Sequence, residues 1–307
     1  MTTQLTANRP LANEQVPRVH GRRRKVANRI LLHAGLILTS MLFLIPILWA
    51  VYTAFRPYSD TALHGYVSVA RSLTLSNFTT AWSQGDMPLY FGNTMIVILP
   101  AIAITLLLSA FVAFAVTRMR LRGSGLILIA FTAGNLLPPQ VLLTPLFRLY
   151  IMLPLPQVMS DSELLYDSYW GIILIHVAVQ TGFCTFVLAN YMRTLPEELT
   201  EAAVIDGAGA LRQFWFLIMP LCRPAFAALA TLEFNWLYND FFWAMVLMST
   251  GSKMPITSAL NNLQGDFFTN NNLLAAGSLI VALPTMIVYF ALQKQFVGGL
   301  TMGSTKG

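Results

Sequence analysis

Long apolar runs separated by short polar breaks dominate this chain, and the runs are sized for a bilayer. A crossing helix needs roughly 20 consecutive apolar residues. Residues 30–55, 93–117, 125–152, 169–192, 226–248 and 274–295 each meet that length. The pattern predicts an all-α, polytopic membrane protein in which six transmembrane helices form one bundle, because only helices satisfy their own backbone in lipid. The polar segment 56–92 is the longest of the breaks and has room for short interfacial helices.

Two of the runs carry polar residues that a plain span would not hold. The third contains Asn135, Pro138, Pro139, Gln140 and Pro145. Adjacent prolines remove backbone donors where no water replaces them, so the helix must break there. Such a break fits a translocation path lined by Asn135 and Gln140, and fits equally a kink made for packing. The fifth run contains Glu233 and Asp240, and a charge at membrane depth costs about 2.5–3.5 kcal/mol on the gentler scale. In a continuous helix Glu233, Trp236 and Asp240 share one face at i, i+3 and i+7, with Asn239 beside them. An acid and an indole on one face suit a polyhydroxylated solute. A proton relay, or pairing with a neighbouring subunit, would use the same residues. His176 and Gln180 in the fourth run are one turn apart, which reads better as a packed, neutral histidine than as a pore element.

Composition and charge narrow the class. Of 307 residues, 56% are hydrophobic and 10% charged, which excludes an ordinary soluble protein. The net charge of +6 is not a nucleic-acid signature, because it is one-sided. Arg9, Arg18, Arg22, Arg23, Arg24, Lys25 and Arg29 precede the first run, and Arg118, Arg120 and Arg122 lie between the second and third. The alternate segments carry Asp60, Asp86, Asp161, Glu163, Asp167 and Asp266 against Arg56, Arg71, Arg148 and Lys253. By the positive-inside rule both termini and the segments around Arg120 and Glu201 are expected in the cytoplasm. Residues 1–29 then form a basic cytoplasmic tail, 30–297 the membrane domain and 298–307 a C-terminal cytoplasmic tail. Trp49, Tyr52, Tyr90, Tyr150, Tyr169, Trp170 and Trp243 fall at the expected outer ends, as an aromatic belt would. The first run is too long for a signal-peptide core and lacks a cleavage site, so it is expected to stay as a span.

Motifs for chemistry are missing. Gly303-Ser304-Thr305-Lys306-Gly307 has the wrong spacing for a P-loop, so nucleotide binding is expected on another chain. His20, His33, His64 and His176 show no metal-ligand spacing, and no nucleophile elbow occurs. No catalytic residue, metal or cofactor is implied. Cys184 and Cys222 read as apolar filler.

One polar insert, residues 194–220, stands out. Thr194-Leu195-Pro196-Glu197 has capping-box spacing with proline in the first turn. Glu197, Glu198 and Glu201 load the N-terminal turns, where the helix dipole favours negative charge. Ala202 and Ala203 give a low profile that a partner can approach, and Gly207 permits a left-handed turn ending the helix. Val204, Ala208, Leu211 and Trp215 continue an apolar stripe. Its acidity argues against a helix resting on lipid headgroups, since those are usually basic.

Glu201-Ala202-Ala203, then Gly207, then Leu217-Ile218-Met219-Pro220 resembles the EAA signature of ABC importer permeases. Leu195-Pro196-Glu197-Glu198-Leu199 through Ile205-Asp206-Gly207-Ala208 is similar to the carbohydrate-uptake branch, of maltose and glycerol-3-phosphate type. So are Trp236 to Phe241, which differs from the branch by the insertion of Leu237-Tyr238, and the stretch from Gln293 to Gly303. The resemblance implies a type I permease fold and half of a two-fold path completed by a second homologous permease subunit. It further implies two cytoplasmic ATP-binding subunits, gripped through Glu201, Ala202, Ala203, Asp206, Gly207 and Pro220, and an extracytoplasmic sugar-binding protein. A permease for another solute, such as a phosphodiester, and an ion-coupled carrier using Glu233 and Asp240 remain as rivals.

Overall fold

The structure is a computed structural model that describes residues 20–301 apart from 120, 122, 136, 266 and 267, with side chains from 28 to 293. Most of the basic N-terminal segment, Arg120, Arg122, Asp266 and residues 302–307 therefore lie outside the described residues. Residues up to 50 and residues from 51 onward form two separate compact units. Helix α1, His20–Ala54, carries the first apolar run as one uninterrupted helix, with Pro46 inside it.

The remaining helices, in order, are α2 (Tyr58–His64), α3 (Ser76–Gln84), α4 (Met87–Arg118), α5 (Ser124–Gly134), α6 (Pro139–Met152), α7 (Tyr169–Arg193), α8 (Glu198–Ile205), α9 (Ala210–Gln213), α10 (Met219–Leu221), α11 (Arg223–Tyr238), α12 (Phe242–Leu247), α13 (Ile256–Ala259) and α14 (Asn271–Thr301). A π-helical turn, Phe214–Ile218, joins α9 to α10. Among the described residues four helices are long and apolar enough to cross a membrane, or six spans if two bent pairs each count as one. The membrane-helix architecture is as expected. α2 and α3 occupy the first long polar segment, and α14 runs on into the expected C-terminal tail.

α4 and α7 form the central pair, with the most extensive contact in the fold. Ala101, Ala110, Ala113 and Ala189 are fully buried in it. Small side chains allow the close helix approach that substitutes for hydrophobic drive in lipid. Asn93 near the start of α4 adds polar glue. It accepts from the Tyr169 hydroxyl at 2.7 Å and donates to the carbonyls of Ser252 and Met254 at 2.8 and 3.0 Å.

Both bent pairs break at prolines. α5 and α6 meet at 91° beside Pro138 and Pro139. The end of α5 presses on α7 at Gly182, where an added Cβ would collide with the Asn135 side chain and the Phe131 carbonyl. Residues 210–221 and α11 meet at 73°, with Pro220 on one side of the break and Pro224 on the other. The fifth run departs from expectation. No helix spans 226–248: α11 stops at Tyr238, and α12 starts afresh at Phe242. The reason lies in Asn239, whose side-chain amide donates back to the Asn235 carbonyl at 2.7 Å instead of leaving the helix ladder to continue.

Candidate functional site

The insert builds an exposed knob. α8 buries none of its residues, and Val204 and Ile205 are 60% and 86% exposed. Its end is a Schellman turn: Gly207 has φ +74°, its N–H donates to the Val204 carbonyl at 3.0 Å, and the Ala208 N–H reaches Ala203 at 2.9 Å. The Gln213 side chain donates to the Ala208 carbonyl at 2.7 Å and secures the exit. The capping box does not form. The Thr194 hydroxyl instead donates to the Tyr191 carbonyl at the end of α7, and α8 begins one turn later with no side-chain cap. The apolar stripe is also split, because Gly209 is extended between α8 and α9. Leu211, Trp215 and Phe216 beyond it are exposed.

Beneath the knob is a groove of about 430 Å³ lined by Thr117 and Arg118 of α4 and by Glu197, Thr200, Glu201, Val204 and Ile205. Arg118 forms its floor by donating to the carbonyls of Met192 and Leu195, which ties the ends of α4 and α7 to the approach of α8. Ala202, Asp206 and Pro220 are exposed, and Ala203 is half-buried.

Glu233, Trp236 and Asp240 all turn toward α7, although Asp240 lies beyond the end of α11. Glu233 is fully buried, and its Oε1 accepts from Cys184 Sγ at 3.1 Å. The Trp236 ring, 43% exposed, sits edge-on to Phe183 at 5.2 Å. Asp240 Oδ2 lies 3.7 Å from Nε2 of the buried His176. Asn239 is exposed, and so are Asn135 and Gln140 at the α5–α6 break; Asn135 lies against Gly182 of α7 and donates to the Phe131 carbonyl of its own helix.

A family model for the inner membrane component of binding-protein-dependent transport systems matches residues 84–300. The chain belongs to that family. The probable ABC transporter permease YurM of Bacillus subtilis is 31% identical over 262 residues, covering 85% of this chain and 83% of YurM. NgcG of Streptomyces coelicolor, a permease of a diacetylchitobiose uptake system, is 29% identical, with 89% and 87% covered. Among solved structures, a bacterial ABC transporter involved in alginate import superposes with TM-score 0.73 at 20% identity, covering 92% of this chain and 99% of that one, which shows the shared fold. This protein is thus a multi-pass inner-membrane permease, and membership of the family favours that reading over an ion-coupled carrier.

Within this permease, three participants were not evident from sequence. Cys184 is a hydrogen-bond donor to an intramembrane acid. His176 faces Asp240, and consecutive antiparallel spans are the signal that pairs it so: two turns back from Cys184 on α7 is two turns forward from Glu233. Asp167, just before α7, accepts from the Ser249 and Thr250 amides at 2.8 and 2.9 Å and from the Thr250 hydroxyl at 2.6 Å. Burial pushes its carboxyl up, but the bonds from Thr250 and Ser249, with Lys253 nearby, outweigh this and hold it below the usual value.

Proposed function

We propose that this permease is one half of the translocation path of an ATP-driven sugar importer, carrying an oligosaccharide or related sugar delivered by an extracytoplasmic binding protein. A second homologous permease completes the path. Two cytoplasmic ATP-binding subunits hydrolyse the nucleotide, and this chain contributes no catalytic residue. Both termini and the α8 knob lie in the cytoplasm. The observation that carries the reading is the knob itself: a short acidic helix with no fully buried residue, with Val204 and Ile205 exposed, stopped by a left-handed turn at Gly207. A rigid element of that kind transmits a push from a partner as a rigid-body tilt of the spans behind it.

The sugar assignment draws support from the sequence around the insert and from NgcG, whose system takes up diacetylchitobiose. The exposed Trp236 ring near Glu233 and Asp240 offers the mixed apolar and polar contact a sugar ring takes. The path assignment of Asn135, Gln140, Glu233, Trp236, Asn239 and Asp240 belongs to the same proposal.

The test is reconstitution of the four-part transporter in vesicles with its binding protein, measuring ATP-dependent uptake of labelled oligosaccharides beside a phosphodiester. Uptake of sugars alone is expected. Uptake of the phosphodiester alone would replace the cargo, and uptake by this chain without ATPases under a proton gradient would overturn the whole assignment.

A further inference from the structure

Residues 67–70 and 73–75, between α2 and α3, alternate in the wrong sense for a segment bathed in water, with Arg71 and Ser72 exposed between them. Val67, Val69, Leu73 and Leu75 are 87%, 87%, 70% and 66% exposed. Ser68, Ala70 and Thr74 between them are the partly buried ones. A half-buried segment in water does the reverse, with its polar residues outward.

The inversion is held in place. Arg56, itself buried, donates to the Ser68 carbonyl at 3.0 Å and to the Ser68 hydroxyl at 2.6 Å. The Tyr52 hydroxyl donates to the Ser68 carbonyl at 2.8 Å and accepts from the Ala70 amide at 2.6 Å. The Arg71 amide donates to Asp60 Oδ2 at 3.3 Å, and the Thr74 amide to the Phe55 carbonyl at 2.7 Å. These bonds fix the polar side inward, so the apolar row is a constructed surface.

Its depth identifies what covers it. The apolar part of the first helix ends at Ala54, and the anchors Tyr52, Phe55 and Arg56 straddle that end. A tyrosine at the end of a span sits at headgroup level. A segment hydrogen-bonded to it is at the same level, continuous with the membrane surface. We propose that residues 67–75 dock on the lipid bilayer itself, with Val67, Val69, Leu73 and Leu75 entering the boundary between headgroups and acyl chains and the exposed Arg71 meeting lipid phosphates. Leu63 of α2, 79% exposed, extends the patch. The segment then acts as a short float that sets the height of the first polar loop above the membrane.

Nitroxide labels at Val67→Cys, Val69→Cys and Leu73→Cys, with Ser83→Cys on α3 as an exposed control, test this in the full chain with its assembled subunits. The vesicles are of phosphatidylcholine and phosphatidylglycerol. The native Cys184 and Cys222 are fully buried. The expected result is an oxygen-to-nickel-chelate accessibility ratio several-fold higher at the three apolar positions than at Ser83→Cys. Equal ratios would put the row in water, and low accessibility to both reagents would put it under another protein; either result overturns the proposal.

Discussion

Cys184 and Glu233 meet across the contact of α7 and α11, the thiol donating to Oε1 at 3.1 Å, while Oε2 is buried with no hydrogen-bond partner among the described residues. The carboxyl is thus half-satisfied in the middle of a helix pair. Unpaired buried polar groups cost about 1–3 kcal/mol each, so the thiol is worth more here than its packing. Cys184→Ala is expected to destabilise the permease by about 1–3 kcal/mol. In a double-mutant cycle with Glu233→Gln, the coupling should reach about 0.5–2 kcal/mol. Thermal unfolding in detergent checks both, and additivity would show that the contact carries no energy.

Gly207 offers a cleaner perturbation of the knob. A Cβ there would touch nothing within 4 Å, so the cost of a side chain is purely the positive φ. Gly207→Ala should cost about 1 kcal/mol locally, Gly207→Asn less, and Gly207→Pro should abolish the turn. The expected order of ATP-dependent uptake follows the order of strain, while detergent stability of the spans stays unchanged. Glu201→Lys should also abolish uptake, by presenting the wrong charge to the ATPase. Wild-type uptake in Gly207→Pro or Glu201→Lys would remove the knob from coupling.

Asp167 predicts a pH response on the opposite side of the chain from the knob. Its folded value is lowered, so the stabilisation from its bonds to Ser249 and Thr250 is present above the unfolded value of about 4 and is lost as pH falls through the folded one. Amide exchange of residues 249–254, taken relative to the intrinsic rate at each pH, is expected to be flat from neutral pH down to about pH 5 and to rise only below about pH 4. Asp167→Asn should raise exchange at neutral pH and flatten the acid response. An unchanged acid rise in that variant would place the titration elsewhere.

Trp236 separates path from packing. Its ring is half in the open and makes one edge-on aromatic contact, worth about 0.5–1.5 kcal/mol. Trp236→Ala should therefore cost about that much stability, while transport of a sugar falls by a larger factor and ATPase docking, followed by co-purification, persists. Transport unchanged in both Trp236→Ala and Glu233→Gln would return these residues to packing.

What the sequence disclosed was local. The apolar runs around α4 and α7 came out within a few residues, the adjacent prolines announced the α5–α6 break, and Gly207 announced its turn, because each effect depends on neighbours in the chain. What it concealed was competition and distance. Thr194 had the right spacing to cap α8, but the end of α7 took its hydroxyl first. The helix through Glu233 looked continuous until Asn239 bonded back on Asn235. Asn272 donates to the Arg56 carbonyl, 216 residues away, and no periodicity reports such a bond. Nor does any pattern reveal that Cys184 and Glu233 would face each other; only the antiparallel pairing of α7 with α11 does.

The bare surface of α8 has a consequence for assembly. An isolated helix of its length is marginal in water, since nucleation costs more than so few bonds return. With no residue fully buried, the knob draws part of its order from the turn at Gly207 and from the groove beside Arg118. On the proposed coupling, a permease that had not yet met its ATPases would display this lightly ordered backbone to the cytoplasm, where proteases work. Docking would close that backbone, so the eight residues proposed to deliver the push would also distinguish a finished transporter from an orphan subunit due for removal.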